Sequence, residues 1–199
     1  MAQAKKKKKF FEVEIPTIKK ETQLFAFEIE DLNGRYIKYD LTRFLRGKNM
    51  ILTSKVEVKN GKAAAISKEI QLLPYFLSKM VRKGTNYVED SFTVECRDAI
   101  VRIKPFLITR RKVARAVRKA LREKAREELT EYAKGKTSEA LFNDIIQGRI
   151  QKPLSLKLKK IYPLSLCEIR ILKVEKELEK KPGKEPEEET EKQIEISEE

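Results

Sequence analysis

The stretch TRRKVARAVRKALREKAREELTEYAKG, residues Thr109–Gly135, is the longest segment of the chain that keeps one period. At the helical repeat of about 100° per residue, its apolar side chains fall on one face. Its arginines recur at spacings of 4, 3, 4 and 4 residues, so they form a separate stripe roughly opposite that face. We therefore predict a helix that packs on a core and presents guanidinium groups away from it. The apolar face comprises Val113, Val117, Ala120, Leu121 and Ala125, and the stripe comprises Arg111, Arg115, Arg118, Arg122 and Arg126.

The two ends of this helix are predicted from its flanking residues. Thr109 is suited to cap the start, since its hydroxyl can accept from a free backbone N–H, and Gly135 is suited to end it. A simpler interpretation is a solvated surface helix crossed by salt bridges, because acidic residues follow the arginines. Those acids dominate over residues 127–131, so Arg126 is predicted to be a salt-bridge partner and the cationic surface to end at Arg122.

Charge is distributed unevenly along the chain. The 199 residues carry a net charge of +14, but residues 175–199 hold 11 acidic and 5 basic residues, which leaves +20 for the rest. A folded body with that charge repels itself unless it meets a polyanion, and phosphate backbones are the usual polyanion inside cells. An anionic membrane is the rival, but the sequence contains no long apolar run and no lipidation signal. The composition therefore favours a nucleic acid as the partner over a membrane.

The residue types used for catalysis and metal binding are scarce. The chain has no histidine, which is the commonest general base and metal ligand. It also lacks a nucleotide-binding glycine loop, a GxSxG motif and a Cys-x-x-Cys pair. Cys96 and Cys167 each lie in a strand-like alternation and are predicted to be buried free thiols. We expect no catalytic activity, metal or cofactor, and a cytoplasmic location, since no secretory signal follows the N-terminal lysines.

Before the long helix the chain keeps a period of two, which is typical of strands. After a first strand at residues 10–15, residues 24–30 and 35–41 are predicted to pair as a hairpin. Phe25 and Phe27 are placed on the core-facing side of that hairpin, because they alternate with polar or small residues. This part of the chain is therefore predicted to form antiparallel sheet.

The strongest turn signal is Asn60-Gly61, because a type I′ turn needs positive φ at both central residues. A two-residue loop there sets Ala63 opposite Val58 in a hairpin. Farther along, SFTVECR and IVRIKPFLI predict another strand pair, with Pro105 marking an edge strand or a bend.

The C-terminal part mixes helix and strand signals. Residues 152–162 suit either, and Pro153 at the start favours a helix. A final strand follows Pro163, and from Glu175 onward little can be buried. The predicted fold is α+β, with an antiparallel sheet of about seven strands curled into a barrel-like body and helices mainly in the C-terminal half. The predicted divisions are a disordered basic arm at 1–9, one RNA-binding domain at 10–174 and a disordered acidic tail at 175–199.

Candidate contacts to phosphate are the cations expected to face solvent. They point to recognition of backbone and shape, because arginine and lysine neutralise phosphates whatever the base. Phe10, Tyr36, Tyr87 and Tyr162 are candidates for stacking on unpaired bases, with core packing as the alternative for each. The candidate cations are Lys5, Lys6, Lys7, Lys8, Lys9, Arg102, Lys104, Arg110, Arg111, Lys112, Arg115, Arg118, Lys119, Arg122, Lys157 and Lys160.

Three stretches, taken in order, resemble one known family. They are KKKKKFFEVEIP, then SFTVECRDAIVRIKPFLITRRKVARAVRKALRE, then KLKKIYPLSLCEIRILKVE. Together they resemble the S-three-a-e family, also called S-one-e, of archaeal and eukaryotic small-subunit ribosomal proteins. The resemblance covers about residues 5–175, and its most specific parts are residues 101–122 and the IYPL…EIR ending.

The resemblance implies a structural ribosomal protein with a β-barrel-like body and attached helices. It implies binding to small-subunit rRNA on the platform, near the mRNA exit and beside other platform proteins, with no catalysis. We also expect mRNA near the exit as a partner, and we expect no homo-oligomer. From this family only the lysine arm and residues 110–122 carry over as binding segments. Two alternatives stay open from the residues alone: a free RNA-binding translation factor, and a protein–protein adaptor that works through the acidic tail.

Overall fold

The computed structural model describes residues 7–45, 47–59 and 61–178. Lys5, Lys6 and the acidic tail from residue 179 lie outside the described residues. In the described part the chain forms nine strands, four α-helices and a short 3-10 helix at Glu30–Leu32. The strands are β1 (Lys9–Ile15), β2 (Lys20–Ala26), β3 (Tyr36–Asp40), β4 (Met50–Lys59), β5 (Lys62–Leu72), β6 (Tyr87–Glu89), β7 (Phe92–Glu95), β8 (Ala99–Thr109) and β9 (Leu164–Glu177). The helices are α1 (Pro74–Met80), α2 (Arg115–Lys134), α3 (Ser138–Ile146) and α4 (Gln151–Lys159).

All nine described strands belong to one sheet in which β5, β9 and β8 are central. The main strand order is β2-β1-β5-β9-β8-β6, with β4 and β3 continuing from β5, and β7 pairing with β8. Two strands pair with the same side of β5: β1 pairs with its start and β9 pairs with its end. The long antiparallel β8–β9 pair connects the N-terminal strands to the part of the chain that carries the helices.

The predicted α+β class is confirmed, but the barrel, the strand count and the purely antiparallel pairing are not. The sheet has nine strands and is open, since β2 and β6 end its main path without pairing with each other in the described residues. It is also mixed, because Val13 and Glu14 of β1 pair in parallel with Ala63 and Ala64 of β5. A period of two shows which side of a strand faces the core, but it does not show which strands are neighbours.

The predicted pairing of residues 24–30 with 35–41 is wrong. β2 pairs with β1 across a turn at residues 16–19, and β3 pairs with β4. Phe25 and Phe27 are 48% and 44% exposed, while Ala26 between them is buried. The predicted alternation of buried and exposed residues is present, but the buried side is the one that carries Ala26 and the exposed side carries the two phenylalanines. The prediction failed because it assigned the larger apolar side chains to the core.

The hairpin predicted at Asn60-Gly61 has the predicted register. Val58 lies opposite Ala63, and Gly61 has a φ of +74°, which a residue without a Cβ adopts without strain. Asn60 itself lies outside the described residues.

The centre of the core is one row of side chains that crosses the sheet. Leu52, Ile70, Leu172, Ile103 and Phe92 are aligned by the strand register, and none is more than 4% exposed. Burial of each such side chain stabilises the fold by roughly 1.5–3 kcal/mol. The row therefore makes β4, β5, β9, β8 and β7 into one rigid support.

The helices confirm most of the C-terminal prediction. α1 begins at Pro74 as expected, and the Thr137 hydroxyl caps α3. Residues 151–159 are helical, which resolves the ambiguous segment. Pro105 marks a bend, because it sits at a bulge where β8 pairs with β9. On its other side it falls in the gap between the residues that pair with β7, which end at Ile103, and those that pair with β6, which begin at Phe106.

Candidate nucleic-acid interface

The connection from β8 to α2 begins with Thr109, which does not have the role predicted for it. Thr109 is the last residue of β8 and is fully buried, whereas α2 begins six residues later at Arg115. The N-cap position is Ala114, and no side chain caps this end of the helix. Threonine is common both in strands and at helix N-caps, so the identity of this residue could not show which role Thr109 has. Gly135 follows the last residue of α2, as predicted.

The loop between β8 and α2 is held in place by two side chains. The Thr109 hydroxyl donates to the carbonyl of Arg111 at 2.7 Å and accepts from the backbone N–H of Asn86 at 3.0 Å. The amide oxygen of Asn86 accepts from the backbone N–H of Val113 at 2.9 Å. The exposed residues Arg110, Arg111 and Lys112 therefore project from a backbone that is fixed at both ends.

α2 divides into a packed face and an exposed one. Its buried side chains recur at intervals of four residues, which continues the predicted apolar face toward the C-terminus. Among the cations, Arg115 and Arg122 are exposed, whereas Arg118 is half buried and its Nε finds no hydrogen-bond partner in the described structure. Arg111 lies in the loop, so the helical stripe begins at Arg115. The buried residues are Leu121, Ala125, Leu129 and Ala133.

The charges along α2 oppose the helix dipole. Its first turn contains no acidic residue and begins with Arg115, while acids concentrate in its second half. The N-terminus of a helix carries a partial positive charge, so cations there lower its stability by roughly 0.3–1 kcal/mol each. An anion bound at this end relieves that repulsion. We define the β8–α2 corner as Arg110, Arg111, Lys112, Arg115 and Arg118.

Two lysines of α2 are paired with carboxylates of the same helix. Lys119 lies 3.7 Å from Glu123, and Lys124 contacts the carboxylates of Glu127 and Glu128. The predicted salt bridge of Arg126 is not formed with any described residue, and its guanidinium instead lies over the Phe92 ring at 5.5 Å. Arg126 therefore stays exposed beyond Arg122, and the salt bridge that was expected to end the cationic surface there is absent from the described structure.

A groove beside the corner brings together cations that are distant in sequence. Lys104 of β8, Arg122 of α2 and Arg170 of β9 line it together with Glu89 and Asp90. The Arg170 Nη1 lies 3.1 Å from both carboxylate oxygens of Glu89. Arg170 was not among the predicted contacts, and only its outward position in the alternation of β9 could have indicated it.

The other predicted cations do not join the corner. Arg102 pairs with Glu175 of β9 at 2.5 Å, and Lys157 pairs with Glu128 of α2. Lys160 is exposed beyond the end of α4. Lys7, Lys8 and Lys9 are exposed at the start of β1, and Lys5 and Lys6 are not described.

Both cysteines are buried free thiols, as predicted. Burial, with a smaller effect of Asp98, raises the pKa of Cys96 to about 11. Burial, with a smaller effect of Glu168, raises the pKa of Cys167 to about 12. Neither is therefore a reactive thiolate at neutral pH.

The described residues offer neither a metal site nor a membrane-spanning helix. They contain no group of three or more cysteine, aspartate or glutamate side chains positioned to hold a metal ion. None of the described helices combines the length and the apolar composition that a membrane crossing requires.

Comparison with known proteins identifies the family. The profile of the Ribosomal S3Ae family matches residues 2–178. The chain belongs to this family. Its relatives include a small ribosomal subunit protein eS1 of Nanoarchaeum equitans, 28% identical over 83% of this chain and 87% of the relative. The eS1 protein of Haloarcula marismortui is 31% identical over 73% and 70% of the two chains, and that of Saccharolobus islandicus is 27% identical over 88% and 89%.

Membership in the Ribosomal S3Ae family confirms the resemblance seen in the sequence. The family consists of structural ribosomal proteins, so the expectation that the chain is not an enzyme is confirmed by its relatives. The matched residues include the whole β8–α2 corner and the groove beside it.

Proposed function

We propose that the protein is a structural component of the small ribosomal subunit and binds small-subunit rRNA through the β8–α2 corner. The family resemblance implies a place on the platform, near the mRNA exit and beside other platform proteins, and we adopt that place in the proposal. The main support is the loop at Arg110, Arg111 and Lys112, which Thr109 and Asn86 hold in a fixed backbone conformation.

The physical basis of binding is electrostatic and architectural. An arginine fork can bond two phosphate oxygens, and a fixed backbone lowers the entropy lost when it does so. The loop leads directly into the uncapped start of α2, where Arg115 and Arg118 add charge to the positive end of the helix dipole. Lys104 and Arg122 extend this surface along the groove, and the lysine arm at residues 5–9 adds further phosphate contacts.

A salt titration tests the corner. The substrate is a fragment of small-subunit rRNA, and the variant carries Arg110→Ala, Arg111→Ala and Lys112→Ala. Each lost phosphate contact lowers the slope of log K against log salt by roughly 0.7–0.9, so the slope should fall by about 2 or more. An unchanged slope would show that the corner is not the RNA contact.

A matched control removes the same charge elsewhere. Lys79, Arg82 and Lys83 are exposed at or just after the end of α1, and replacing all three with alanine lowers the net charge by the same amount. This control should keep the slope close to that of the unmodified protein. An equal fall in both variants would mean that net charge alone governs binding.

Sedimentation tests the ribosomal assignment against the alternatives. The protein should stay with small subunits through a moderate salt wash, whereas a free translation factor would be released. Deletion of residues 179–199 keeps β9 intact and removes most of the acidic tail. Retained association after that deletion agrees with the proposal, and loss of association would favour an adaptor that works through the tail.

A further inference from the structure

Three phenylalanines at the open end of the β1–β2 hairpin are exposed to solvent. Phe10 and Phe25 lie directly opposite each other in the strand register, and Phe27 follows on the same side of the chain. Their exposed fractions are 69%, 48% and 44%. Large exposed apolar clusters are uncommon on monomeric proteins and mark binding surfaces. We call these three residues the aromatic platform.

The platform is cationic as well as aromatic. The rings of Phe10 and Phe25 have centroids 4.8 Å apart, and the Lys8 ammonium lies 5.7 Å from the Phe25 centroid and 5.2 Å from the Phe27 centroid. Arg35 donates to the carbonyl of Phe25 at 3.3 Å, which adds a guanidinium at the edge. Sequence-neutral binding of single strands uses this combination of ring faces for bases and cations for phosphates.

The charged residues next to the platform determine the direction in which a nucleic acid strand can leave it. Toward the turn of the hairpin, the same exposed face carries Glu12, Glu14 and Glu21. These carboxylates repel a phosphate backbone, whereas the lysines that precede Phe10 attract it. A nucleic acid strand is therefore directed toward the lysine arm, and the platform accommodates only a few bases.

We infer that the aromatic platform binds unpaired bases of single-stranded RNA, with Lys8 and its neighbouring lysines holding the phosphates. The sequence alone favours recognition of backbone and shape and offers Phe10 as a stacking candidate, but it places Phe25 and Phe27 in the core. The platform lies on β1 and β2, toward the opposite end of the strand order from β8, so this inference does not depend on the β8–α2 corner. An apolar surface of a neighbouring protein is the other occupant that exposed aromatic residues could accept, but the adjoining lysines favour a polyanion.

A tryptophan probe tests the stacking directly. The chain has no tryptophan, so Phe10→Trp introduces a single indole into the platform. A short oligoadenylate should quench its fluorescence and bind at least as tightly as it binds the unmodified protein, because indole stacks well on bases. An abasic oligomer of the same length and charge should bind more weakly. Equal affinity for the two oligomers would overturn the inference, since only phosphates would then be recognised.

Leucine variants separate stacking from apolar contact. Phe10→Leu with Phe25→Leu removes the rings and keeps an apolar surface, and it should weaken binding of the oligoadenylate by about 5-fold or more. Affinity for duplex RNA should not change. Tyr75→Leu is the matched control, because Tyr75 on α1 is 70% exposed and distant in sequence from the platform. Thermal unfolding checks that both variants are folded. All three replaced side chains are exposed, so the unfolding temperature should change little.

Two results of the leucine experiment would overturn the inference. One is an equal loss of affinity for single-stranded and duplex RNA, which would assign binding to charge alone. The other is unchanged oligonucleotide affinity with loss of association with small subunits, which would identify the platform as a protein-docking surface. An unchanged salt slope in the β8–α2 corner variant would not alter the fluorescence of the tryptophan variant or the oligoadenylate affinity of the leucine variants. The two proposals can therefore fail separately.

Discussion

The hydroxyl of Thr109, at the end of β8, donates to the carbonyl of Arg111 across 2.7 Å. This bond joins a fully buried strand residue to an exposed cationic loop. Thr109→Val keeps the shape but leaves the carbonyl of Arg111 and the N–H of Asn86 without this partner. Lost hydrogen bonds of this kind cost roughly 1–3 kcal/mol, so the free energy of unfolding should fall by that amount in denaturant titrations. RNA affinity should also fall, because the loop is no longer fixed.

The conservative change at this position provides a control for the previous prediction. Thr109→Ser keeps the hydroxyl and removes a buried methyl group, which costs about 1 kcal/mol through packing. RNA affinity and its salt dependence should then be close to those of the unmodified protein. Weaker RNA binding in the serine variant than in the valine variant would contradict a role for the hydrogen bond in positioning the loop.

Arg115 at the start of α2 is predicted to favour RNA binding at the expense of stability. Arg115→Glu places an acid at the positive end of the helix dipole and should raise the free energy of unfolding by about 0.3–1 kcal/mol at low salt. The same change should weaken RNA binding. Lys134→Glu reverses a charge at the other end of α2 and should lower stability. If both variants changed stability in the same direction, the dipole argument would be wrong.

The pair between Lys48 and Glu168 is predicted to hold the loop before β4 against β9. Their charged atoms lie 2.5 Å apart, with the Glu168 side chain 6% exposed and the Lys48 side chain 37% exposed. Lys48→Met leaves a buried carboxylate without its cation and should cost about 2–4 kcal/mol. The estimate is below that for a fully buried pair, because Lys48 remains partly in water. Replacing both residues with methionine should be less destabilising than Lys48→Met alone, and a double-mutant cycle in denaturant measures this.

Alkylation should report the burial of the two cysteines. The reactive form of a thiol is the thiolate, and burial raises the pKa of Cys96 to about 11 and that of Cys167 to about 12. At mildly alkaline pH the native protein should react slowly with iodoacetamide, and Cys96 should react before Cys167. The protein unfolded in urea is the control and should react quickly at both sites. Rapid labelling of native Cys167 would show that β9 opens locally.

Local patterns in the sequence predicted those features of the fold that neighbouring residues determine. The hairpin register of Val58 and Ala63 followed from a two-residue turn, and the start of α1 followed from Pro74. In each case the deciding residues lie within a few positions of the feature. The backbone conformation of glycine or proline was enough to specify it.

Features that depend on distant residues were not predicted. Thr109 ends a strand instead of capping a helix because Asn86, 23 residues upstream, bonds to it. Arg170 joins the groove through Glu89, which is 81 residues away. Of the predicted cations, the sequence could not separate Arg102 and Lys157, which are paired with carboxylates, from Arg110 and Arg111, which remain exposed.

The sheet can be completed only after β9, its last strand in the chain, has been synthesised. β9 is the last strand of the described chain, yet it pairs with both β5 and β8, which were made much earlier. Until residues 164–177 leave the ribosome that makes them, β8 and the end of β5 each lack a neighbour on one side. A nascent chain truncated before that point would therefore expose unpaired strand edges, which promote aggregation and degradation. We therefore expect cells to degrade shortened copies of this chain, since only a chain that reaches the end of β9 can cover those edges.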